Sequence, residues 1–341
     1  MFNKQIEQGG NFNNFTLEKA IDSFEVVSGF KMQNFAYSLP SYINRVYEMR
    51  TAESNESVIV KFYRPQRWNY DAIADEHEFV FDCLESEIPV IAPKLFADGD
   101  SISETSDGIF LSYFPKKQGR ELELNCTEDW TRLGQIIGRM HAVGSQYKAR
   151  YRLALDPQTM TAKFVDELLN SPYIDKVNGK NFQSICKKII SAIDERFNDV
   201  DYIRVHGDCH RANILNRLDE GLMIIDFDDM LMAPAVQDLW LLLPDYIHNC
   251  KNKFYDLMDG YWQFCDFNDY ELFLIEPLRA MRMIYFLHWC AFQYNDVRFQ
   301  ANFPDWGTEI FWRQEINDLE RQFEIIKDAD KALSKSTNHL I

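Results

Sequence analysis

Two short stretches carry side chains suited to group transfer: His206-Gly207-Asp208-Cys209-His210-Arg211-Ala212-Asn213 and Ile224-Ile225-Asp226-Phe227-Asp228. Moving a phosphoryl group onto a hydroxyl needs a carboxylate within hydrogen-bond reach, to orient that hydroxyl and take its proton. It also needs hard oxygen ligands for Mg2+. Asp208 is the candidate base. Asn213 lies far enough along for the loop to turn its amide oxygen back towards a metal. Asp226, ending an apolar run, is the candidate main metal ligand, bridging to the phosphates and counted with Asp208 as catalytic. Singly, each residue has a plainer reading: Asp208 a turn cap, Asn213 a helix-terminal polar residue, Asp226 the end of an edge strand. In this order, between apolar strands, they point to an ATP- and Mg2+-dependent transferase.

Lys61 is the next candidate, within Val58-Ile59-Val60-Lys61-Phe62-Tyr63. A lysine in an apolar strand costs desolvation unless an anion neutralises it. The α- and β-phosphates of ATP would serve, as would a glutamate on the following helix; Glu76 and Glu78 are the candidates, with Glu76 preferred. The plainer alternative is an edge-strand lysine facing water. Arg64, Arg67 and Trp68 follow; one arginine facing the phosphates is an alternative, but an exposed, ion-paired surface is the expectation. The turn Pro40-Ser41-Tyr42-Ile43-Asn44 would cover the phosphates, with the Ser41 hydroxyl and backbone N–H groups as donors. It contains no glycine, the chain has no Walker A motif, and Ser41 is almost equally well read as an ordinary turn residue.

His206, Cys209 and His210 crowd one turn of loop, with no second cluster to complete a zinc tetrahedron. His206 is expected to pack under the loop and bond a backbone carbonyl, and His210 to face the cleft. Asp238, opening an apolar helix, reads as support for the Asp208 loop. Arg279 and Arg282 lie on nearly one helix face and are candidates to contact an acceptor, although pairing of Glu276 with Arg279 is the simpler reading.

Phe35–Leu39 and Val46–Met49 alternate about a proline turn, as a hairpin does, and Val58–Tyr63 reads as a third strand. Helical spacing follows from Asp71 to Leu84. Pro89–Pro93 and Gly108–Phe114 are expected as two further strands. Beyond Gly119 the pattern is mostly helical, with helices at Glu128–Tyr147, Lys163–Asn170, Phe182–Phe197 and Glu276–Phe292, and short strands at Tyr202–Val205 and Leu222–Phe227. The expected organisation is a sheet-rich N-lobe over residues 1–114, a hinge over 115–120 and a helical C-lobe over 121–341.

A net charge of −17 argues against nucleic acid and anionic lipid as partners, since both attract basic surfaces. Seven cysteines without a CxxC pair fit reduced thiols in a cytoplasmic protein better than a disulfide scaffold. The polar, asparagine-rich opening lacks the apolar run of a signal peptide, and no stretch reaches the length of a bilayer span.

His-Gly-Asp, where most eukaryotic kinases have His-Arg-Asp, resembles the aminoglycoside-phosphotransferase and homoserine-kinase-like branch of the protein-kinase-like superfamily. More narrowly, four strings resemble the bacterial stress response kinase A family: Lys61-Phe62-Tyr63-Arg64-Pro65, the Ser-Tyr-x-Asn-Arg-Val-Tyr run from Ser41, His-Gly-Asp-Cys-His, and Pro234-Ala235-Val236-Gln237-Asp238-Leu239-Trp240. The resemblance implies an α+β, bilobal protein-kinase-like fold, with a small antiparallel-sheet N-lobe and a larger helical C-lobe. It implies Mg2+ as cofactor, ATP as co-substrate, a cytoplasmic monomer, and phosphorylation of serine or threonine on proteins in stress tolerance. It places the proton acceptor on Asp208, metal ligands on Asn213 and Asp226, and an ATP contact on Ser41. Asp226-Phe227-Asp228 departs from Asp-Phe-Gly, and Gly207 removes the arginine that reads an activation-loop phosphate, so no activation-loop switching is expected. A small-molecule kinase for an amino alcohol, sugar or aminoglycoside-like acceptor would use the same machinery. A non-catalytic pseudokinase scaffold is disfavoured by the presence of base, metal ligands and strand lysine together.

Overall fold

The computed structural model describes residues 12–41, 43–217 and 220–336; the asparagine-rich opening over residues 1–11 and Tyr42 of the turn over residues 40–44 lie outside the described residues. Helix α1 (Leu17–Ser28) starts where the Thr16 hydroxyl accepts the Lys19 N–H and stops at Gly29, whose left-handed backbone closes the last turn. Strands β1 (Met32–Ser38), β2 (Arg45–Thr51) and β3 (Ser57–Phe62) follow, then helix α2 (Tyr70–Glu85), capped by Asn69, then β4 (Ser103–Glu104) and β5 (Phe110–Pro115). These strands make one antiparallel sheet in the order β1-β2-β3-β5-β4. Strand β3 is therefore interior, with Lys61 opposite Val46 on one side and Ser112 on the other, which removes the edge-strand reading of that lysine.

Pro89–Pro93 is not a strand of this sheet. Prolines at both ends withhold N–H donors, and the segment makes only a parallel bridge from Val90 to Ile224, in the other half of the molecule.

The remainder runs β6 (Arg120–Glu121), α3 (Thr127–Gly144), a π-helical turn (Pro157–Thr161), α4 (Ala162–Leu169), α5 (Lys176–Ile193) and β7 (Ile203–Val205). Strands β8 (Ile214–Arg217), β9 (Gly221–Ile224) and β10 (Leu231–Ala233) come next, then α6 (Val236–Leu242), α7 (Lys251–Tyr261), α8 (Ile275–Gln293), α9 (Val297–Asn302) and α10 (Glu309–Ser336). Helix α5 starts earlier than its apolar spacing suggests because Asp175 caps it, accepting the N–H groups of Val177 and Asn178. Strands β10 and β7 pair, and β6, β8 and β9 form a small sheet. The result is the expected α+β, bilobal arrangement, and no helix among the described residues is long and apolar enough to cross a membrane.

The apolar clusters do not follow the chain order. Phe24, Met49, Val60, Phe62 and Leu111 form the core beneath the sheet. Helix α2 instead buries Phe79, Val80 and Cys83 against Ile137, Ile224 and Phe227 of the helical half. Helices α3 and α7 cross so closely that a Cβ on Gly134 would meet the Leu257 carbonyl, and one on Gly260 the Thr131 carbonyl.

Arg45 of β2 and Arg64, just beyond β3, both reach Asp296 at the start of α9, at 2.8 and 3.0 Å, with all three side chains almost fully buried. Burial pulls the Asp296 pKa up, but the two guanidinium groups outweigh it and hold the carboxyl below its usual range. Asp296 thus fastens the sheet lobe to the helical lobe. Asp296→Ala leaves two buried guanidinium groups uncompensated and is expected to cost about 3–5 kcal/mol, read as a lowered midpoint in thermal or urea unfolding.

Candidate active site

The loop carrying Asp208 is shaped by a fully buried carboxylate. Asp238, in the first turn of α6, accepts the N–H groups of His206 (2.7 Å) and Gly207 (2.9 Å), and its Oδ2 lies 3.1 Å from Nε2 of His141. Gly207 has φ +85°, and a Cβ there would strike the Asp229 carbonyl, so this position excludes any side chain. His206 is buried, donates from Nε2 to the Ile225 carbonyl at 2.8 Å and packs on Phe227. That bond joins the two sequence stretches singled out above, as does the bond from Ile225 N–H to the Asn213 carbonyl at 3.0 Å. Cys209 is wholly buried in the core beneath the loop, and burial pushes its thiol pKa well up.

Asp208 emerges from this frame into the cleft. Its Oδ1 lies 2.6 Å from Arg282 of α8 and its Oδ2 lies 3.3 Å from His210 Nε2. Burial would raise its pKa, but the His210 hydrogen bond and the Arg282 charge prevail, and the carboxyl is held well below the usual range. His210 is raised in turn, chiefly by its bond to Asp208. Asn213 donates through Nδ2 to the Asp208 carbonyl (2.9 Å), which leaves its Oδ1 as the amide's acceptor atom. Arg279 pairs with Glu276 at 3.2 Å, the simpler of the two readings offered above, and Arg282, an alternative acceptor contact, lies on Asp208.

Asp226 has a left-handed backbone (φ +61°, ψ +67°), an uncommon conformation for a residue with a side chain. Its carboxylate is 56% exposed, the most open of the acidic groups around Lys61. Lys61 Nζ lies 3.0 Å from Asp228, 3.2 Å from Asp226 and 3.8 Å from Glu76. Glu78 faces solvent on the far side of α2. The other Glu76 oxygen pairs with Arg152 at 2.6 Å, and Arg152 also donates to the Asp228 carbonyl (2.7 Å) and covers the Trp68 ring. Arg67 bridges Asp228 and Asp229, and Tyr285 donates to Asp229 at 3.0 Å.

The exposed surface expected for Arg64 and Arg67 is thus overturned, since both are buried among carboxylates. Burial opposes the charge on Lys61, but Asp228, Glu76 and Asp226 raise its pKa well above that of an ordinary lysine. Asp228 is held well below the carboxylate range against its own burial, by Arg67, Lys61 and Arg152.

Ser41 stands at the cleft edge, its Oγ accepting the Asn44 N–H at 3.3 Å, so its proton remains available to a ligand. Ser41, Asp208, Asn213 and Asp226 line one cavity of about 490 Å3, whereas Lys61 and Glu76 sit behind its wall, reached through Asp226 and Asp228. The carboxylate of Asp226 and the amide oxygen of Asn213 are hard donors suited to Mg2+, which takes few protein ligands and keeps water for the rest.

Sequence spacing missed Arg152, Asp75, Arg282 as a partner of Asp208, and Tyr285. Asp75 accepts three consecutive N–H groups, from Arg150, Tyr151 and Arg152, and so ties α2 to the chain following α3. No local pattern marks such pairs, whose members lie more than 50 positions apart. The available signal was global: too many arginines beside apolar strands for all to face water.

Comparison with known proteins gives the chain's family and fold. The model of the family described as "Phosphotransferase enzyme family" matches residues 38–270, which include every candidate site residue from Ser41 to Asp226. Stress response kinase A of Escherichia coli strain K12 is 32% identical over 303 residues, covering 88% of this chain and 90% of its own. The serine/threonine protein kinase RdoA of Salmonella typhimurium is 32% identical over 295 residues, covering 85% and 87%. Among solved structures, the amicoumacin kinase hAmiN, in complex with AMP-PNP, Ca2+ and Ami, superposes with a TM-score of 0.69 at 20% identity, covering 92% of this chain and 94% of that one. With a kinase-like fold, a family match over most of its length and full-length kinase relatives, the chain belongs to the phosphotransferase enzyme family and, within it, to the stress response kinase A group of ATP-dependent kinases.

Proposed function

We propose that the protein transfers the γ-phosphate of ATP, with Mg2+, to serine or threonine hydroxyls of a protein acceptor, acting as a cytoplasmic monomer in stress tolerance. The observation that carries the protein-acceptor reading is the charge balance of the cleft. Asp208, Asp228 and Asp229 are each matched by Arg282, Arg67 or Lys61, and beyond them the acceptor side is lined by apolar and aromatic groups such as Met160, Leu278, Met281 and Trp289. A cationic amino alcohol or aminoglycoside needs unmatched carboxylates, and Asp226, the most open one, is assigned to the metal. The names of the relatives support the same acceptor class.

In this reading Asp208 orients the acceptor hydroxyl and takes its proton; Arg282 and His210 keep its carboxylate ionised until then. Asp226 and Asn213 hold Mg2+, which when bound offsets the charge of the phosphate oxygens. Lys61, steadied by Glu76, reaches the α- and β-phosphates, and the Ser41 hydroxyl donates from the covering turn. Residues 1–114 and 121–341 act as the two lobes, with 115–120 as the hinge.

The machinery is assembled without a switch. Asp75 and Glu76 hold α2 against the helical lobe, and Asp228 is clamped between Lys61 and Arg67. Residues 226–240 contain no serine, threonine or tyrosine. Phosphatase-treated protein is therefore expected to keep full activity, and a large gain on phosphorylation would contradict this.

Asp208→Ala is expected to lower phosphoryl transfer by about 1000-fold or more with nucleotide affinity retained. Asp226→Ala, like chelation of the metal by EDTA, is expected to weaken metal-dependent nucleotide binding as well. Labelled ATP with casein beside a metabolite panel, and titration calorimetry with ATP, read both; full activity in both variants would overturn the assignment. Label entering only metabolites would overturn the protein-acceptor reading alone.

A further inference from the structure

The cavity beside Asp208 does not end there. A second cavity, of about 730 Å3, shares Ile43, Trp68, Leu153, Met160, Tyr285 and Trp289 with it, so the two form one groove. Its floor is a single face of α8. Arg282, Tyr285, Trp289 and Phe292 recur at helical spacing along it, and from Arg282 to Phe292 the helix rises about 15 Å. That length matches four or five residues of extended chain at roughly 3.3 Å each. A small metabolite held at Asp208 would leave most of it empty.

The lining also states what it takes. Phe286 is 39% exposed and stacks on the half-buried Trp289, with ring centroids 5.7 Å apart, and Trp68 and Met160 line the same cavity. At the far end the charges are spent on one another: Glu167 meets His288 at 2.6 Å and Lys163 at 3.9 Å. A ladder of basic or acidic substrate residues finds no counterpart here, whereas a large apolar side chain gains contact and loses water.

We infer that this groove is a specificity site for an extended polypeptide acceptor, and that a large apolar or aromatic residue close to the phosphorylated serine or threonine seats between Trp68, Met160, Phe286 and Trp289. This rests on the protein-acceptor reading above and adds which polypeptides qualify. Asp208 lines the same cavity as these rings and pairs with Arg282 on the α8 face, so a chain with its hydroxyl at that carboxylate places its neighbours against them.

The test is a set of serine peptides on an alanine background, each with one leucine, phenylalanine, aspartate or lysine at a single flanking position, incubated with labelled ATP and Mg2+. An apolar residue at one flanking position is expected to raise kcat/KM by about tenfold or more, with aspartate or lysine there lowering it. Trp289→Ala and Phe286→Ala, each verified as folded by its melting curve, are expected to remove that preference through a raised peptide KM. Trp262→Ala, an exposed tryptophan away from the groove, is expected to keep it. Peptides phosphorylated without regard to their flanks, or a preference that survives in both groove variants, would overturn the inference while leaving a protein acceptor in place. Transfer to metabolites with none to any peptide or to casein would overturn both.

Discussion

A lysine ammonium on an interior strand has to be neutralised, and most of the cleft follows from how that is done. Lys61 meets three carboxylates, and these bring more negative charge than one ammonium can offset. Arg67 and Arg152 complete the balance, each arriving from a different segment. The network therefore does more than hold one residue: it joins β3, α2, the segment after α3, and the stretch from Asp226 to Asp229. Removing a single partner from such a set leaves a buried charge uncompensated, so the geometry at Asp226 is inherited in part from groups that do not touch it, such as Arg67 and Arg152.

The same accounting reconciles a strongly acidic chain with a polyanionic co-substrate. The net charge of −17 repels ATP at long range. At short range the cleft presents Arg282, with Lys61 behind Asp226 and Asp228, and its carboxylates are either tied up by cations or open to a metal. Local pairing, not composition, sets the field a ligand meets.

The parts of the site visible in the sequence were those made of neighbouring residues. Asp208 and Asn213 share one loop, Asp226 ends the next apolar run, and the strand around Lys61 is marked by its β-branched residues. Helix boundaries were read to within a turn wherever a cap residue adjoined the apolar pattern, and missed at α5, where the Asp175 cap lies well ahead of it. Pro89–Pro93 misled because apolar character alone does not tell a sheet strand from a segment bridging two lobes. Arg67 and Arg282 were placed on surfaces or facing an acceptor because their partners come from elsewhere in the fold, and pairing of that range has no local signature.

Cys209 sits next to the candidate base, yet no part of it reaches solvent. Oxidants attack the thiolate, and a thiol with its pKa driven upward by burial stays protonated and inert. The chain thus carries sulfur beside its candidate base without making that loop a redox liability. Peroxide that would sulfenylate an open cysteine at this position meets Asp208, His210 and Arg282 instead, none of which it readily modifies.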